Sequence, residues 1–291
     1  MTTQSTHSPA VRTLFVAAAI VTFGAVALGS VVCATDSSAA CPNWPGCYRG
    51  QVTPEAELNP VLEFVHRVVA VSTGPLLLAA AVVGLRSRDL LVRVLPWIAL
   101  AGAMVAGVLG MLTVKRGIST GLAAFDLTSS LVAMLAITLA AVCVLRAPRQ
   151  WRRNGWSAIT WSAVALWVAT HVTSIFVAGP GSLTRCVSWP VWELIEIDGD
   201  AGPQWVRLGL ASIAVVVSAF VVVVAMKRPE TRVIGAVVAV LMVVELAMGF
   251  TVLRSGADLP TKAVYAATPA AILCGLGWIA SLATIRRALA A

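Results

Sequence analysis

The chain has 291 residues, 59% of them hydrophobic and only 12% charged, with a mean hydropathy of +0.89. A soluble domain of this length carries about a quarter charged residues, so a water-soluble globule is excluded. The 21 Lys and Arg against 13 Asp and Glu would suit a nucleic-acid binder. The charges, however, sit in short clusters between apolar runs, and the aromatic residues are too scattered to form a stacking platform.

A bilayer core about 30 Å thick needs about 20 apolar helical residues to cross it. Runs of that length recur near 12–32, 61–85, 90–114, 121–145, 155–178, 205–226, 233–253 and 263–285. Lipid offers no partner to backbone polar groups, so these runs are predicted as helices rather than strands. The first run is long and continues into a structured-looking loop, unlike a cleaved signal peptide. The fold predicted is an all-α integral membrane protein with eight transmembrane helices in two tandem four-helix bundles, residues 1–150 and 151–291.

The placement of Lys and Arg orients the spans. Arg86, Arg88 and Arg93 follow span 2; Arg146, Arg149, Arg152 and Arg153 follow span 4; Lys227, Arg228 and Arg232 follow span 6; Arg286 and Arg287 stand near the end. The loops after spans 1 and 5 carry more acid, with Asp36, Glu55 and Glu57 in one and Glu193, Glu196, Asp198 and Asp200 in the other. Lys115, Arg116, Arg254 and Lys262 are local exceptions. The balance predicts a plasma-membrane protein with both termini in the cytoplasm and two long external loops, about 33–60 and 179–204.

Those loops expose a repeat. Cys41-Pro-Asn-Trp44-Pro45-Gly-Cys47 and Cys186-Val-Ser-Trp189-Pro190-Val-Trp192 share Cys-x-x-Trp-Pro at an offset of 145 residues. Further along, Arg67 matches Arg207, and Phe125-Asp126-Leu127-Thr128 matches Tyr265-Ala266-Ala267-Thr268, at an offset of 140. Gly110-x-x-Thr113-Val114 loosely matches Gly249-x-Thr251-Val252. A duplicated four-helix unit accounts for this, and each copy could enclose its own site.

Cys41 and Cys47 lie in an oxidising compartment, where a disulfide serves equally well as a loop staple or as a redox pair. Cys186 has no mate within its own loop, because Trp192 stands where the partner of Cys47 would be. Cys33, Cys143 and Cys274 read as small apolar residues in or near spans. Glu63, His66 and Arg67 share one face at the head of span 2. They read either as an interfacial cluster snorkelling to headgroups or as a cofactor site. In the second case the imidazole of His66 is the iron ligand, Glu63 serves proton or substrate chemistry, and Arg67 meets an anionic group. Asp126 opens span 4, His171 lies in span 5 and Glu245 is midway along span 7; His7 is in the polar tail.

Taken together, the eight spans in two halves, the Cys41-x-x-Trp44-Pro45-x-Cys47 loop, the Glu63-x-x-His66-Arg67 opening of span 2 and the repeated Cys-x-x-Trp-Pro resemble the haem A synthase family. The resemblance covers nearly the whole chain. It implies oxidation of the haem O methyl group to the formyl group of haem A during cytochrome oxidase maturation, with haem O or haem A and oxidase assembly proteins as partners. It assigns Glu63, Cys41 and Cys47 to catalysis, and His66, Arg67 and Asp126 to the cofactor. It also implies four histidines, one at the head of each even-numbered span. Here only His66 fills such a position; Asp126, Val206 and Ala266 or Ala267 occupy the others, and the chain holds three histidines in all. One haem at most is expected, in the first half through His66, and none in the second. Asp126 would then hydrogen-bond an iron-bound water or the imidazole. Two other readings stand beside this one: a non-catalytic relative acting as a haem-binding, assembly or partner subunit, and a small proton-coupled transporter using Glu63, Asp126 and Glu245.

Overall fold

The computed structural model describes residues 7–146, 149–151, 154–177, 186, 202–255 and 258–287. Eight helices long and apolar enough to cross a membrane dominate it: α1 (Pro9–Ala34), α2 (Leu58–Gly84), α3 (Leu90–Arg116), α4 (Thr120–Leu145), α5 (Gly155–Val177), α6 (Gly202–Met226), α7 (Arg232–Ser255) and α8 (Leu259–Thr284). Their ends follow local chemistry. Ser8 caps α1 by accepting from Val11 N–H, with Pro9 following it. Ser119 caps α4, and Asp258 caps α8 through the Thr261 N–H at 3.1 Å. These side chains satisfy amides that have no partner inside the helix.

Within each half the helices close into a ring. α1 packs on α2, α2 on α3, α3 on α4 and α4 back on α1, and the same order holds from α5 to α8. Helices α2 and α4 therefore stand diagonally across the first bundle, as do α6 and α8 across the second. The halves meet where α1 lies on α8, α4 on α5 and α4 on α8. Exchanging α1 with α5 and α4 with α8 maps this seam onto itself, which is the pattern of two parallel repeats related by a pseudo-twofold axis. Thr128 and Thr268, 140 residues apart, repeat one detail: each hydroxyl donates to the carbonyl four residues earlier, Ala124 and Val264, at 2.7 Å.

The core is continuous across the seam. Val26, Leu131 and Met134 of the first half pack in one cluster with Trp167, Val221, Leu273 and Leu276 of the second. The outer faces remain apolar, with Val71, Met104, Val216, Phe220, Val233 and Val243 all largely exposed. In water such a belt would aggregate; against hydrocarbon it is the surface required. At the end of the molecule opposite the α1–α2 loop, two three-residue strands, β1 (Arg149–Trp151) and β2 (Ile285–Arg287), pair antiparallel with Arg149 opposite Arg287.

A covalent link across the halves corrects the sequence reading of Cys33 and gives Cys186, which has no partner in its own half, a mate in the other. Cys33, at the end of α1, is bonded to Cys186 in the α5–α6 connection, with Cα atoms 5.4 Å apart. Cys33 is thus no mere apolar filler, and Cys186 has its mate in the other half. The pair is 153 residues apart in sequence, so no local spacing announces it. Cys143 and Cys274 form no disulfide. Trp189, Pro190 and Trp192, and the acidic residues of the second loop, lie outside the described residues.

Candidate functional site

The loop from α1 to α2 is built around the second disulfide, Cys41–Cys47, whose Cα atoms are 4.1 Å apart and whose side chains are fully buried. Within it the Asn43 N–H donates to the Cys47 carbonyl at 3.1 Å, and the Cys47 N–H to the Val52 carbonyl at 3.3 Å. The chain reverses at Tyr48-Arg49-Gly50-Gln51, where Gly50 has φ +76°, a conformation that disfavours any Cβ. The Trp44–Pro45 peptide is cis. Lys115, at the far end of α3, sits 5.9 Å from the Trp44 ring centroid, within cation–π range.

Arg67 holds this loop down. Its Nη1 donates to the carbonyls of Asn43 at 2.6 Å and Gly46 at 3.1 Å, and its Nη2 to that of Cys41 at 2.8 Å. Its Nε donates to Glu63 Oε1 at 2.7 Å, one turn earlier on α2. Four of the five guanidinium N–H groups are thereby placed, in a planar fork that the single ammonium of lysine could not reproduce. Glu63 is 5% exposed, so each charge of the pair spares the other an uncompensated burial. The sequence assigned Arg67 to an anionic group and Glu63 to chemistry; in the fold both are engaged in positioning the cysteine loop.

His66 adjoins this cluster on α2 and turns toward α1. A Cβ placed on Gly29 would come 3.1 Å from its Cε1 and 3.6 Å from its Nε2, so the ring packs closely against α1 at this glycine. Its Nδ1 is buried and hydrogen-bonds to no group among the described residues. Asp126 lies on α4, the diagonal helix, half-buried and without a hydrogen bond of its own among the described residues. No hydrogen bond joins it to His66. The fold thus gathers Glu63, Arg67, Cys41 and Cys47 into one bonded cluster with His66 beside it, and leaves Asp126 apart.

In the first half His66 is the residue that would hold haem iron, since its Nδ1 is used by no group among the described residues. In the second half no such residue stands at the even-span positions: Val206 is exposed, and Ala266 is buried among apolar neighbours. An isopropyl or a methyl group offers iron no lone pair.

The second bundle is nevertheless far from empty of polar groups. Arg207, the repeat partner of Arg67, is 3% exposed and donates from Nε to Ser174 Oγ at 2.7 Å. His171 and Glu245 are each 1% exposed. Sequence reasoning noticed all three residues but did not join them, although Ser174 stands 145 residues after Gly29. The position that seats His66 in one half receives an arginine in the other. Among the described residues, no three or more His, Cys, Asp or Glu side chains converge in a way that could hold a metal ion.

The sequence matches no protein-family model, and no curated protein matches it.

Proposed function

We propose that this chain works on haem within the plasma membrane, as a haem A synthase-like oxidoreductase in cytochrome oxidase maturation, with its working site at the loop-side end of the first bundle. The observation that carries the reading is the clasp of Arg67 on the Cys41–Cys47 loop directly beside His66. A disulfide loop fastened one residue away from an imidazole with a spare nitrogen is an arrangement that serves a redox-active ligand better than it serves a simple cap. Haem would supply the redox chemistry of methyl oxidation, and His66 would hold it. Glu63 and Arg67 would keep the loop and its cysteines over that position. In this reading both termini are cytoplasmic and the cysteine loop is external.

A second reading, a non-catalytic relative that binds haem or a partner subunit, is favoured by two features: Arg67 commits its donors to the loop, and no histidine stands opposite His66. Absorption spectra of the purified protein, oxidised and reduced, separate the readings. The enzyme reading expects a haem band lost in His66→Ala, together with conversion of added haem O. A bound haem with no conversion leaves the non-catalytic relative. Absence of any haem band, with no shift on adding haem, removes both haem readings.

A further inference from the structure

The interior of the second bundle contains a buried polar row that the proposed haem chemistry does not use. On α5, Trp167, His171 and Ser174 share one face at spacings of four and three residues. Arg207 of α6 reaches Ser174 from the end nearer the α5–α6 connection. At the other end, Trp167 and Glu245 line the same small cavity inside the bundle. Val215 of α6, Met242 and Leu246 of α7 and Ile272 of α8 complete its wall. Residues from all four helices meet there, and the cavity has room for about one water molecule.

His171 stands in the middle of this row. Its ring meets that of Trp167 edge-on, with centroids 5.4 Å apart. Neither of its nitrogens has a hydrogen-bond partner among the described residues, although the residue is 1% exposed. The neighbouring polar groups have other partners. Trp167 Nε1 donates to Ser218 Oγ at 2.8 Å, and Thr170 Oγ1 to the Leu166 carbonyl at 2.8 Å. Ser174 Oγ donates to the Thr170 carbonyl while accepting from Arg207. An imidazole in a bundle interior carries at least one donor and one acceptor, or two donors, and each needs a partner when removed from solvent. Haem is far too large for this space, and an apolar ligand would leave the nitrogens as they are.

We propose that the second bundle holds internal water, seated in the cavity that Trp167 and Glu245 line and reaching the imidazole of His171, which packs edge-on against Trp167. Water supplies both donor and acceptor at the scale of the cavity, which is what the two nitrogens of His171 require.

Hydroxyl-radical footprinting by X-ray pulses tests this on the full chain in lipid nanodiscs, because buried side chains are oxidised where water is held beside them. Met242 lines the cavity, whereas Met134 is fully buried in the apolar core; both have the same thioether chemistry. Oxidation of Met242 and Trp167 is expected at least tenfold faster than that of Met134. Glu245→Leu and His171→Leu, each checked for an intact Cys33–Cys186 disulfide, should bring Met242 down toward the Met134 rate. Met242 oxidised no faster than Met134 in the unaltered protein overturns the proposal. So does a fast Met242 that neither substitution slows. Should a leucine variant fail to form the disulfide, Glu245→Gln and His171→Asn retain polarity and are expected to keep Met242 fast; a Met242 slowed to the Met134 rate in both of them overturns the proposal as well.

Discussion

Gly29 and His66 meet across the α1–α2 seam, and the missing side chain of the glycine is the space in which the imidazole lies. The equivalent position of the second half is Ser174, which accepts from Arg207. One site in the repeat has been adapted to two different partners.

Gly29→Val should therefore push the ring away from α1. Added bulk at a close approach costs about 1–3 kcal/mol. The variant is expected to unfold at a lower temperature in detergent and to lose whatever haem absorbance the parent shows, the outcome also expected of His66→Ala. A Gly29→Val protein with unchanged melting and spectrum would mean that the seat of the ring is unimportant.

Arg67 should resist even a conservative replacement. Arg67→Lys keeps the charge but cannot reach three carbonyls and Glu63 together. Removing one partner of a buried pair costs about 3–5 kcal/mol, and Arg67→Lys is expected to approach that range. Glu63→Gln keeps an acceptor for Nε and should cost less, on the order of 1–2 kcal/mol. Denaturant or thermal unfolding of the two variants gives the ranking, and limited proteolysis near Arg49 should accelerate only in the Arg67 variant.

The Cys33–Cys186 bond joins the two halves covalently, which can be read on a gel. With a protease site inserted between α4 and α5, the cleaved protein should run as one species without reductant and as two fragments with it. Cys186→Ser should give two fragments in both lanes. A single band from the serine variant without reductant would disprove the assignment.

Much of this architecture was legible in the sequence. Hydrocarbon permits only long apolar helices, so eight runs became eight spans, and all of them begin and end within a few residues of expectation. The largest offset is at the start of α8, four residues before the apolar run suggested, because the Asp258 cap sets its beginning and the charged Lys262 falls inside it. The Cys41–Cys47 pairing was foreseeable, being local. The Cys33–Cys186 bond was not, since a partner 153 residues away is chosen by how the bundles dock. Nor was the role of Arg67 legible: its acceptors are backbone carbonyls, which leave no mark in composition. The same holds for His171 and Arg207, whose burial depends on which faces α5 and α6 turn inward.

Orientation can be tested independently of chemistry. In intact cells, a membrane-impermeant maleimide should label Gln51→Cys in the cysteine loop and spare Arg88→Cys in the basic α2–α3 connection. Both positions are accessible at the surface, so the side on which the reagent is added decides the outcome. The reverse pattern would invert the topology argued from Lys and Arg.

The two short connections described at opposite ends of the helices act together. The disulfide ties the end of α1 to the second half at one membrane face, and the β1–β2 ribbon ties the tail of α8 to the inter-half link at the other. A carrier that works by rocking one half against the other must be able to gape at each face in turn. This molecule is buttoned at both, by one covalent bond and one short ribbon, so a change in how the halves sit would have to bend these two ties first.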